Sequence, residues 1–443
     1  MSQKHLLPAS SSIARVACSL VLPLILMACT NAPESPAVRP ATPAGSDAAP
    51  APAASAPPAS VAAAPPAPPA PPPAPPAPPL PILPFDDAVV NAATMLLANA
   101  ALPPAPPTLV VVIDPLIDGV TGAQSRATKL MGNRLTTLIR DKYPRLDVQK
   151  FNAANVAKNP LVLIGTFTGV NGQRQTAGRR EAYRICLALA DLATGKLVGK
   201  GLAFAQMEGV DNAPLAYFQD APAWVDDPST LGYIRTCQGT RAGDPINPAY
   251  LGRIRVATTI SEAIEAYDQK RYREALGMFE NAAQVPEGRQ LRVYNGIYLT
   301  NWKLGRRDGA TQAFGNLVDF GLESKKLAMS FLFRPGSTAF VADPKVSGAY
   351  ALWIKEIGAR AAKSSTCLEI LGNSSATGPE PLNERLSLLR AETIKGQLER
   401  QQPSLRERTI ANGVGSRATL VGNGRDDATD ALDRRVEFKV IGC

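Results

Sequence analysis

The sequence predicts a multidomain α/β protein, and three observations in its 443 residues carry that prediction. First, 21 of the 41 prolines lie within residues 33–84, which indicates a tether rather than a folded domain. Second, short apolar runs alternate with segments of helical periodicity further along, the order of a domain built on a sheet. Third, a helical segment repeats at an offset of 35 residues and is followed by a strand-helix-strand-helix pattern.

These observations divide the chain into five parts. We expect a signal peptide at residues 1–28 and a linker at 29–84. An α/β domain follows at 85–250, then a short helical repeat at 251–325 and a C-terminal β-α-β-α-β domain at 326–443. A chain of this length is sufficient for two or three domains with cores of ordinary size.

The N-terminus has the layout of an export signal. Lys4 and Arg15 precede an apolar run that is too short to cross a bilayer as a stable helix. The run ends Leu-Met-Ala-Cys29, which resembles the bacterial lipobox, where the cysteine is lipidated and becomes the first residue. The resemblance implies a lipid anchor on Cys29 and, with Thr30 after it, an outer-membrane protein that faces the periplasm. Ordinary signal cleavage is the alternative.

The linker is rich in proline and alanine. A stretch such as APPAPPAPPPAPPAPPLP favours extended polyproline geometry, because proline cannot donate to helices or sheets. At ~3.1 Å per residue, the 55 residues from 30 to 84 reach at most roughly 170 Å. The linker can therefore carry the folded part toward the cell wall; a flexible spacer with no particular span is the alternative.

Composition argues against several kinds of function. His5 is the only histidine, so after cleavage the chain has no imidazole for a catalytic triad or a metal site. Residues 1–28 hold two cations and no acid, so cleavage lowers the formal charge from +9 to +7. The basic residues are scattered without interleaved aromatics, so we expect no nucleic-acid partner. We also expect no enzyme activity, no cofactor and no metal.

Four cysteines remain after Cys18 and Cys29. An even number in an oxidising compartment indicates two disulfides. One bond in each α/β domain is the simplest arrangement, and it pairs the candidates as Cys186–Cys237 and Cys367–Cys443.

The first folded region reads as an α/β sheet of about four or five strands. Apolar runs and periodicity predict strands near 108–117, 146–151, 160–170 and 183–205, the last as a hairpin, with a helix at 122–143. The run LVLIGTFTGV with the hairpin LADLATGKLV resembles envelope lipoprotein domains of the flagellar FlgO group and the LpoB-type activators of penicillin-binding proteins. That resemblance implies contact with envelope proteins and includes no catalytic motif.

The repeat aligns AIEAYDQKRYREALGMFENAA with YLTNWKLGRRDGATQAFGNLV. Small and aromatic residues coincide in the two copies, as in Ala275 with Ala310 and Phe279 with Phe314. The period and these positions resemble tetratricopeptide repeats. Two copies are fewer than a free-standing solenoid needs, so we expect them to pack on their neighbours and to offer a groove to a partner.

The last region resembles the OmpA C-terminal, peptidoglycan-binding domain over about 115 residues. The matching motifs are Phe333-x3-Ser337 on the first predicted strand, Asn383-x2-Leu-Ser-x2-Arg390-Ala on the long predicted helix, and Asp433-Arg-Arg-Val-Glu at the end. The resemblance implies strands at CLEILGNSS, TIANGV and DRRVEFKVIGC and helices near 350–361 and 382–402.

In that family, an Asp in a Gly-x-Thr-Asp motif and an Arg fifteen residues later bind the zwitterionic end of diaminopimelate. The acid takes the ammonium and the guanidinium takes the carboxylate. Here the motif reads Gly372-Asn-Ser374-Ser375, and Arg390 keeps the spacing while Ser375 replaces the acid. The resemblance implies peptidoglycan peptide as ligand, with Arg390, Ser375, Asn383 and Ser374 as candidate contacts.

Three interpretations of the altered site stay open. Arg390 and backbone groups bind the ligand without the acid, or Glu380 in the following loop replaces it, or the domain keeps its fold without the ligand. In the last case the protein is a scaffold or regulator of cell-wall synthesis that acts through protein contacts. An ordinary solvated arginine is the alternative for Arg390, and the Asp-Asp pairs at 86–87, 226–227 and 426–427 read as solvated loop acids.

Overall fold

The computed structural model describes residues 79–224, 227–420, 422, 430 and 433–443. The predicted signal peptide, Cys29 and nearly all of the linker lie outside these residues, as do Asp226 and the pair Asp426-Asp427. In the described part of the chain, no helix is both long and apolar enough to cross a membrane. The mixed α/β architecture predicted from the sequence is confirmed, with two sheets joined by a helical segment.

The first sheet has seven strands rather than the predicted four or five. In chain order the strands and their helices are β1 (Ile82–Leu83), α1 (Phe85–Ala98), β2 (Leu109–Ile113), β3 (Ile117–Asp118), α2 (Arg126–Lys142), β4 (Leu146–Gln149), α3 (Ala153–Val156), β5 (Leu161–Val170), β6 (Ala182–Asp191) and β7 (Lys196–Ala205). The strand order is β1-β7-β6-β5-β2-β4, and β3 pairs with β5. β1 and β3 are two residues long, too short to give a periodic signal.

One face of this sheet is covered by α1 and α2, whose apolar residues form a common core with the strands. α1 was not predicted from the sequence; it begins directly after Pro84, at the end of the proline-rich region. α1 packs on the backbone of β7: a Cβ at Gly201 would lie 2.0 Å from the carbonyl oxygen of Ala92. The glycine is therefore required for the close approach of helix and strand.

The opposite face is covered by α5 (Pro228–Cys237), α6 (Pro248–Leu251) and the start of the next helix. Asp227 precedes α5, and its carboxylate accepts the backbone N–H of Ser229 at 2.8 Å and that of Leu291 at 3.0 Å. Asp227 is buried, so the expectation that it is a solvated loop acid is wrong. It is an N-cap, a position where a carboxylate satisfies free helix N–H groups.

The repeat segment consists of two helical hairpins: α7 (Ile254–Asp268) with α8 (Tyr272–Ala283), and α9 (Leu291–Lys303) with α10 (Arg307–Glu323). The small and aromatic residues aligned in the sequence are buried, including Ala275, Ala310, Phe279 and Phe314. Phe279 fills the space beside Gly296 of α9, where a Cβ would lie 2.5 Å from its ring. The aromatics are therefore packing residues.

The C-terminal region forms the second sheet, with strands β9 (Lys326–Met329), β10 (Cys367–Asn373), β11 (Thr409–Gly415) and β12 (Val436–Ile441) and helices α11 (Pro344–Ser347), α12 (Tyr350–Lys363) and α13 (Glu380–Gln401). A fifth strand, β8, comprises Ala223–Trp224, and the strand order is β11-β10-β12-β9-β8. β8 follows the short helix α4 (Ala216–Asp220) and comes from the segment assigned by sequence to the first domain.

The two hairpins and the C-terminal domain share one hydrophobic core. The rings of Phe314 on α10 and Trp353 on α12 stack with centroids 5.8 Å apart. The indole N–H of Trp353 donates to the hydroxyl of Tyr298 on α9 at 2.8 Å. The C-terminal domain therefore has no separate core that a fragment beginning at residue 326 would keep.

Cys367 at the start of β10 and Cys443 at the chain end are joined by a disulfide, with their Cα atoms 5.3 Å apart. The other candidate pair differs from the expectation: Cys186 and Cys237 are both buried free thiols. Cys186 lies on β6 and Cys237 ends α5, so the two residues do meet across the face of the first sheet.

Candidate functional site

The candidate site lies where β10 ends against α13. α13 sits directly on the strand backbones, because a Cβ at Gly372 would lie 1.8 Å from the carbonyl oxygen of Ser387. The hydroxyl of Ser387 accepts the backbone N–H of Gly415 at 2.9 Å, which fixes the helix to the end of β11. This contact determines the position of Arg390, one helical turn further along α13.

Arg390 is a buried residue, with only 2% of its surface exposed. Its Nε donates to the carbonyl oxygen of Ser337 at 3.1 Å, and its Nη2 donates to that of Arg334 at 3.3 Å. The guanidinium carbon lies 5.0 Å from the ring centroid of Phe333, within range of a cation–π interaction. The alternative of a solvated helix arginine is therefore wrong.

The turn Arg334-Pro-Gly336-Ser337 covers Arg390. The N–H of Ser337 donates to the carbonyl of Arg334 at 3.1 Å, and Gly336 has a φ of 61°, as the third position of a type II turn requires. Phe333 and Ser337 were expected on the first strand, but β9 ends at Met329 and both residues lie in the loop that follows. Pro335-Gly336 is the sequence signal that could have located this turn.

The charge of Arg390 has no carboxylate partner among the residues that the structure describes. Burial and, to a lesser extent, the nearby positive charge of Arg434 together lower the pKa of Arg390 to about 10. Both effects disfavour the charged guanidinium. An anion beside Arg390 would relieve both of them.

The serines that replace the acidic motif are buried just after β10. The N–H of Asn373 donates to the carbonyl of Arg435 and that of Ser374 to the carbonyl of Gly415, both at 2.9 Å. The hydroxyl of Ser374 is buried and has no hydrogen-bond partner among the described residues. Ser375 is 5% exposed, and neither serine hydrogen-bonds to Arg390 in this part of the chain.

Two other predicted residues have structural partners. Asn383 is buried and its Nδ2 donates to the carbonyl of Gly378 at 3.4 Å, a long bond that holds the loop before α13. Glu380 is the first residue of α13 rather than a loop residue, and its Oε1 accepts the N–H of Ser416 at 3.0 Å. Glu380 contacts the end of β11 and not Arg390, so the structure does not support it as a substitute acid.

The Asp433-Arg-Arg-Val-Glu motif organises the loop before β12. The carboxylate of Asp433 accepts the N–H of Leu420 at 2.5 Å and that of Gly422 at 2.8 Å. The guanidinium of Arg435 donates to Glu437 at 2.8 Å. Asp433 and Arg435 therefore have a structural role. Arg434 differs from them, because its positive charge helps to lower the pKa of Arg390.

Comparison with known proteins gives structural likenesses only. No family model matches the chain, and no curated protein does. About a quarter of the chain is similar to the peptidoglycan-associated lipoprotein from Burkholderia pseudomallei, at 20% identity and TM-score 0.22, with 27% of this chain and 92% of that chain covered.

Two further structures give the same picture. The periplasmic domain of Helicobacter pylori MotB is 18% identical, with a TM-score of 0.22 and coverage of 26% and 74%. The cell wall anchor of the T6SS from Pseudomonas aeruginosa is 18% identical, with a TM-score of 0.22 and coverage of 27% and 81%. At these scores the function has to be argued from the residues of the site.

Around Arg390 the structure brings together one buried guanidinium, two backbone carbonyls and a second cation, Arg434, whereas the free hydroxyl of Ser374 lies just after β10 and does not contact Arg390. The site has no nucleophile-base pair in hydrogen-bond contact among the described residues around Arg390. A guanidinium in this setting is suited to holding a carboxylate.

Proposed function

We propose that the protein is a non-catalytic, peptidoglycan-binding lipoprotein and that Arg390 receives a carboxylate of the wall peptide. The observation that carries the proposal is Arg390 itself, which is 2% exposed and whose guanidinium has two carbonyl oxygens, but no described carboxylate, as its partners. A buried charge without a counter-ion is costly, and a carboxylate ligand would remove that cost while making a bidentate, charge-assisted contact.

The buried hydroxyl of Ser374 adds a second polar contact to this site. A zwitterionic peptide end carries an ammonium beside its carboxylate, and a hydroxyl is a neutral acceptor for it. Losing the charge of the family acid costs a charge-assisted bond of ~1.5–3 kcal/mol, or roughly 10- to 100-fold in affinity. The proposed interaction is therefore weaker than that of an Asp-containing site.

Ligand entry requires the turn at residues 334–337 to move. The carbonyls of Arg334 and Ser337 occupy the guanidinium donors that a carboxylate would use. Arg334, Pro335 and Gly336 are exposed, so the turn can open without disrupting the core. Binding then exchanges two neutral acceptors for one charged acceptor.

The sequence supplies the other half of the proposal. A lipid on Cys29 would hold the protein in the outer membrane, and the linker to residue 84 would give the site its reach to the wall. The α/β domain and the hairpins, in which the family resemblances to envelope lipoproteins and tetratricopeptide repeats were found, would contact envelope proteins. On this proposal the protein tethers two layers of the envelope.

A second candidate function is a scaffold that has lost the ligand. The same turn favours it, because Arg390 already has two acceptors and little exposed surface. On this proposal the OmpA-like fold packs and positions the α/β domain, which then regulates cell-wall synthesis or envelope assembly through protein contacts.

Co-sedimentation with purified sacculi separates the two functions. The protein to use is residues 76–443, which form one compact unit, because a shorter C-terminal fragment would expose the shared core. We expect the wild type to pellet with sacculi and Arg390→Gln to stay in solution.

Arg385→Gln is the matched control, since Arg385 is an exposed residue of the same helix and the change removes the same charge. It should pellet like the wild type. A wild type that stays in solution, or an Arg390→Gln variant that pellets equally, would reject the binding function and favour the scaffold.

A further inference from the structure

The two free cysteines line a cavity outside the candidate site. The cavity, of about 330 Å³, lies between the surface of β6 and β7 and the C-terminal end of α5. It is lined by both thiols, by two cations and by uncharged polar groups: Cys186, Cys237, Arg184, Lys200, Gln238 and Thr240. Nothing in the proposed peptidoglycan function uses these groups.

The sheet register brings Cys186 and Lys200 onto the same face. Lys200 on β7 is opposite Ala188 on β6, so it is the diagonal neighbour of Cys186. The Nζ of Lys200 lies 3.6 Å from the Sγ of Cys186 and 3.2 Å from the Oγ1 of Thr240. A cation is therefore held against the sulfur that faces the cavity.

The second thiol belongs to the last residue of α5. The Sγ of Cys186 donates to the carbonyl oxygen of Cys237 at 2.8 Å, and the Cys237 thiol also hydrogen-bonds to Cys186. The two thiols therefore contact each other, as cysteines that can be joined must.

The two thiols differ in acidity. The hydrogen bond from Cys237 and the charges of Lys200 and Arg184 lower the pKa of Cys186, against the opposing effect of burial. Burial and the neighbouring Cys186 raise the pKa of Cys237. Cys186 is thus the thiol that ionises more readily and can react as a thiolate, whereas Cys237 stays protonated at neutral pH.

We propose that Cys186 and Cys237 form a redox-active dithiol that is oxidised by an external disulfide, with Cys186 as the attacking and Cys237 as the resolving thiol. The thiolate of Cys186 attacks one sulfur of the external disulfide, which forms a mixed disulfide and releases one thiolate. Cys237 then loses its proton to that thiolate and attacks the sulfur of Cys186. The second thiolate leaves and is protonated by solvent, so two protein thiols are oxidised and one external disulfide is reduced to two thiols.

The product would link the centre of the first sheet to the end of α5 across 51 residues. It would also remove the ionisable thiol of Cys186 beside Lys200, so that the ammonium of Lys200 would keep only the carbonyl of Cys237 and the hydroxyl of Thr240 as partners. The oxidation state of this pair would therefore change both the rigidity of the α/β domain and the polarity of the cavity.

Oxidised glutathione is the probe that tests the proposal. The folded full-length protein is incubated with it at neutral pH, and peptide mapping by mass spectrometry identifies which cysteines are joined. We expect an internal Cys186–Cys237 bond without a lasting adduct in the wild type, and a stable glutathione adduct on Cys186 in Cys237→Ser. An adduct that forms first on Cys237, or two thiols that stay unmodified while the protein is folded, would overturn the proposal.

Lys200→Gln tests the electrostatic part, with Lys196→Gln as the control on an exposed position of the same strand. Alkylation of Cys186 by iodoacetamide at pH 7 should slow roughly fivefold in Lys200→Gln, the fall in thiolate expected when a pKa of about 7 rises by about one unit, and should be unchanged in Lys196→Gln. Equal alkylation rates in Lys200→Gln and Lys196→Gln would show that Lys200 does not activate Cys186. Circular dichroism of each variant checks that the slower reaction is not a loss of fold.

Discussion

Trp353 of α12 donates its indole N–H to the hydroxyl of Tyr298 on α9, 2.8 Å away, inside the core that the hairpins and the C-terminal domain share. Both residues are nearly fully buried. The bond crosses from the repeat segment to the domain that holds Arg390. The helical segment is therefore part of the support of the candidate site.

Tyr298→Phe should lower the free energy of unfolding by about 1–3 kcal/mol, because it leaves the buried N–H of Trp353 without an acceptor. Urea denaturation monitored by tryptophan fluorescence measures the change. Tyr294→Phe on the same helix is the control, since its hydroxyl makes no described hydrogen bond, and it should change stability by less than about 0.5 kcal/mol. Equal effects of the two changes would contradict this account of the interface.

Asp114 predicts a pH dependence of stability. Burial raises its pKa to about 6, although the hydroxyl of Tyr250 donates to it at 2.8 Å and Arg292 lies nearby. Because the folded pKa is above the unfolded value of 3.8, the folded state binds the proton more tightly. Stability from this group is thus highest below pH 4 and falls as the pH rises from 4 to 6, by about 3 kcal/mol in total.

Asp114→Asn should remove this fall and make the protein more stable at pH 7, since the amide oxygen can still accept the hydroxyl of Tyr250. Chemical denaturation at pH 4, 5, 6 and 7 provides the test. The free energy of unfolding is measured at each pH, and its change with pH is compared between wild type and variant. If the wild type and Asp114→Asn change in parallel over this range, Asp114 is not the group that titrates.

A side chain at position 372 should disturb the candidate site sterically. A methyl group there would lie 1.8 Å from the carbonyl oxygen of Ser387, so Gly372→Ala must push α13 away from β10. We expect a loss of several kcal/mol in stability and weaker binding to sacculi, because Arg390 moves with the helix.

Gly396→Ala is the control change within α13 itself, where the new methyl group would meet only the end of the Arg400 side chain at 3.5 Å. It should stabilise the protein by about 0.5–1 kcal/mol, the usual gain from replacing glycine in a helix. A Gly372→Ala variant as stable as Gly396→Ala would show that α13 does not rest on the strand at this point.

Ser375→Asp restores the charge that the sequence lacks. It should tighten binding to sacculi by roughly 10- to 100-fold, because the new carboxylate can take an ammonium of the ligand. Thr377→Asp adds the same charge at an exposed position of the same loop and should have little effect. Similar gains in both variants would point to a general charge effect, whereas no gain from Ser375→Asp would place the ligand elsewhere.

Much of the C-terminal domain was predictable because its elements are long and periodic. The strand from Cys367, the helix that carries Arg390 and the last strand were predicted within a few residues of their bounds. β8 could not be predicted, since two residues have no period and their pairing with β9 depends on packing from a distance. α1 was missed because its start directly follows the proline-rich region.

The site was predictable in its residues but not in its partners. The spacing of Ser375 and Arg390 was visible in the sequence, whereas the acceptors of Arg390 are backbone carbonyls, which any residue supplies. Asp227 is a second example, because its buried carboxylate accepts the backbone N–H of Leu291, which is 64 residues away in the sequence. Contacts of this kind depend on the tertiary fold and cannot be recognised from the local sequence.

The most direct test of the central claim is the affinity of residues 76–443 for a soluble wall peptide that ends in diaminopimelate, compared with the same peptide in which the carboxylate is amidated. Isothermal titration calorimetry measures both. If Arg390 receives the carboxylate, the free acid should bind and the amide should bind roughly 10- to 100-fold more weakly, a difference that Arg390→Gln abolishes. Equal affinity for acid and amide, or a difference that persists in Arg390→Gln, would contradict the proposed role of Arg390.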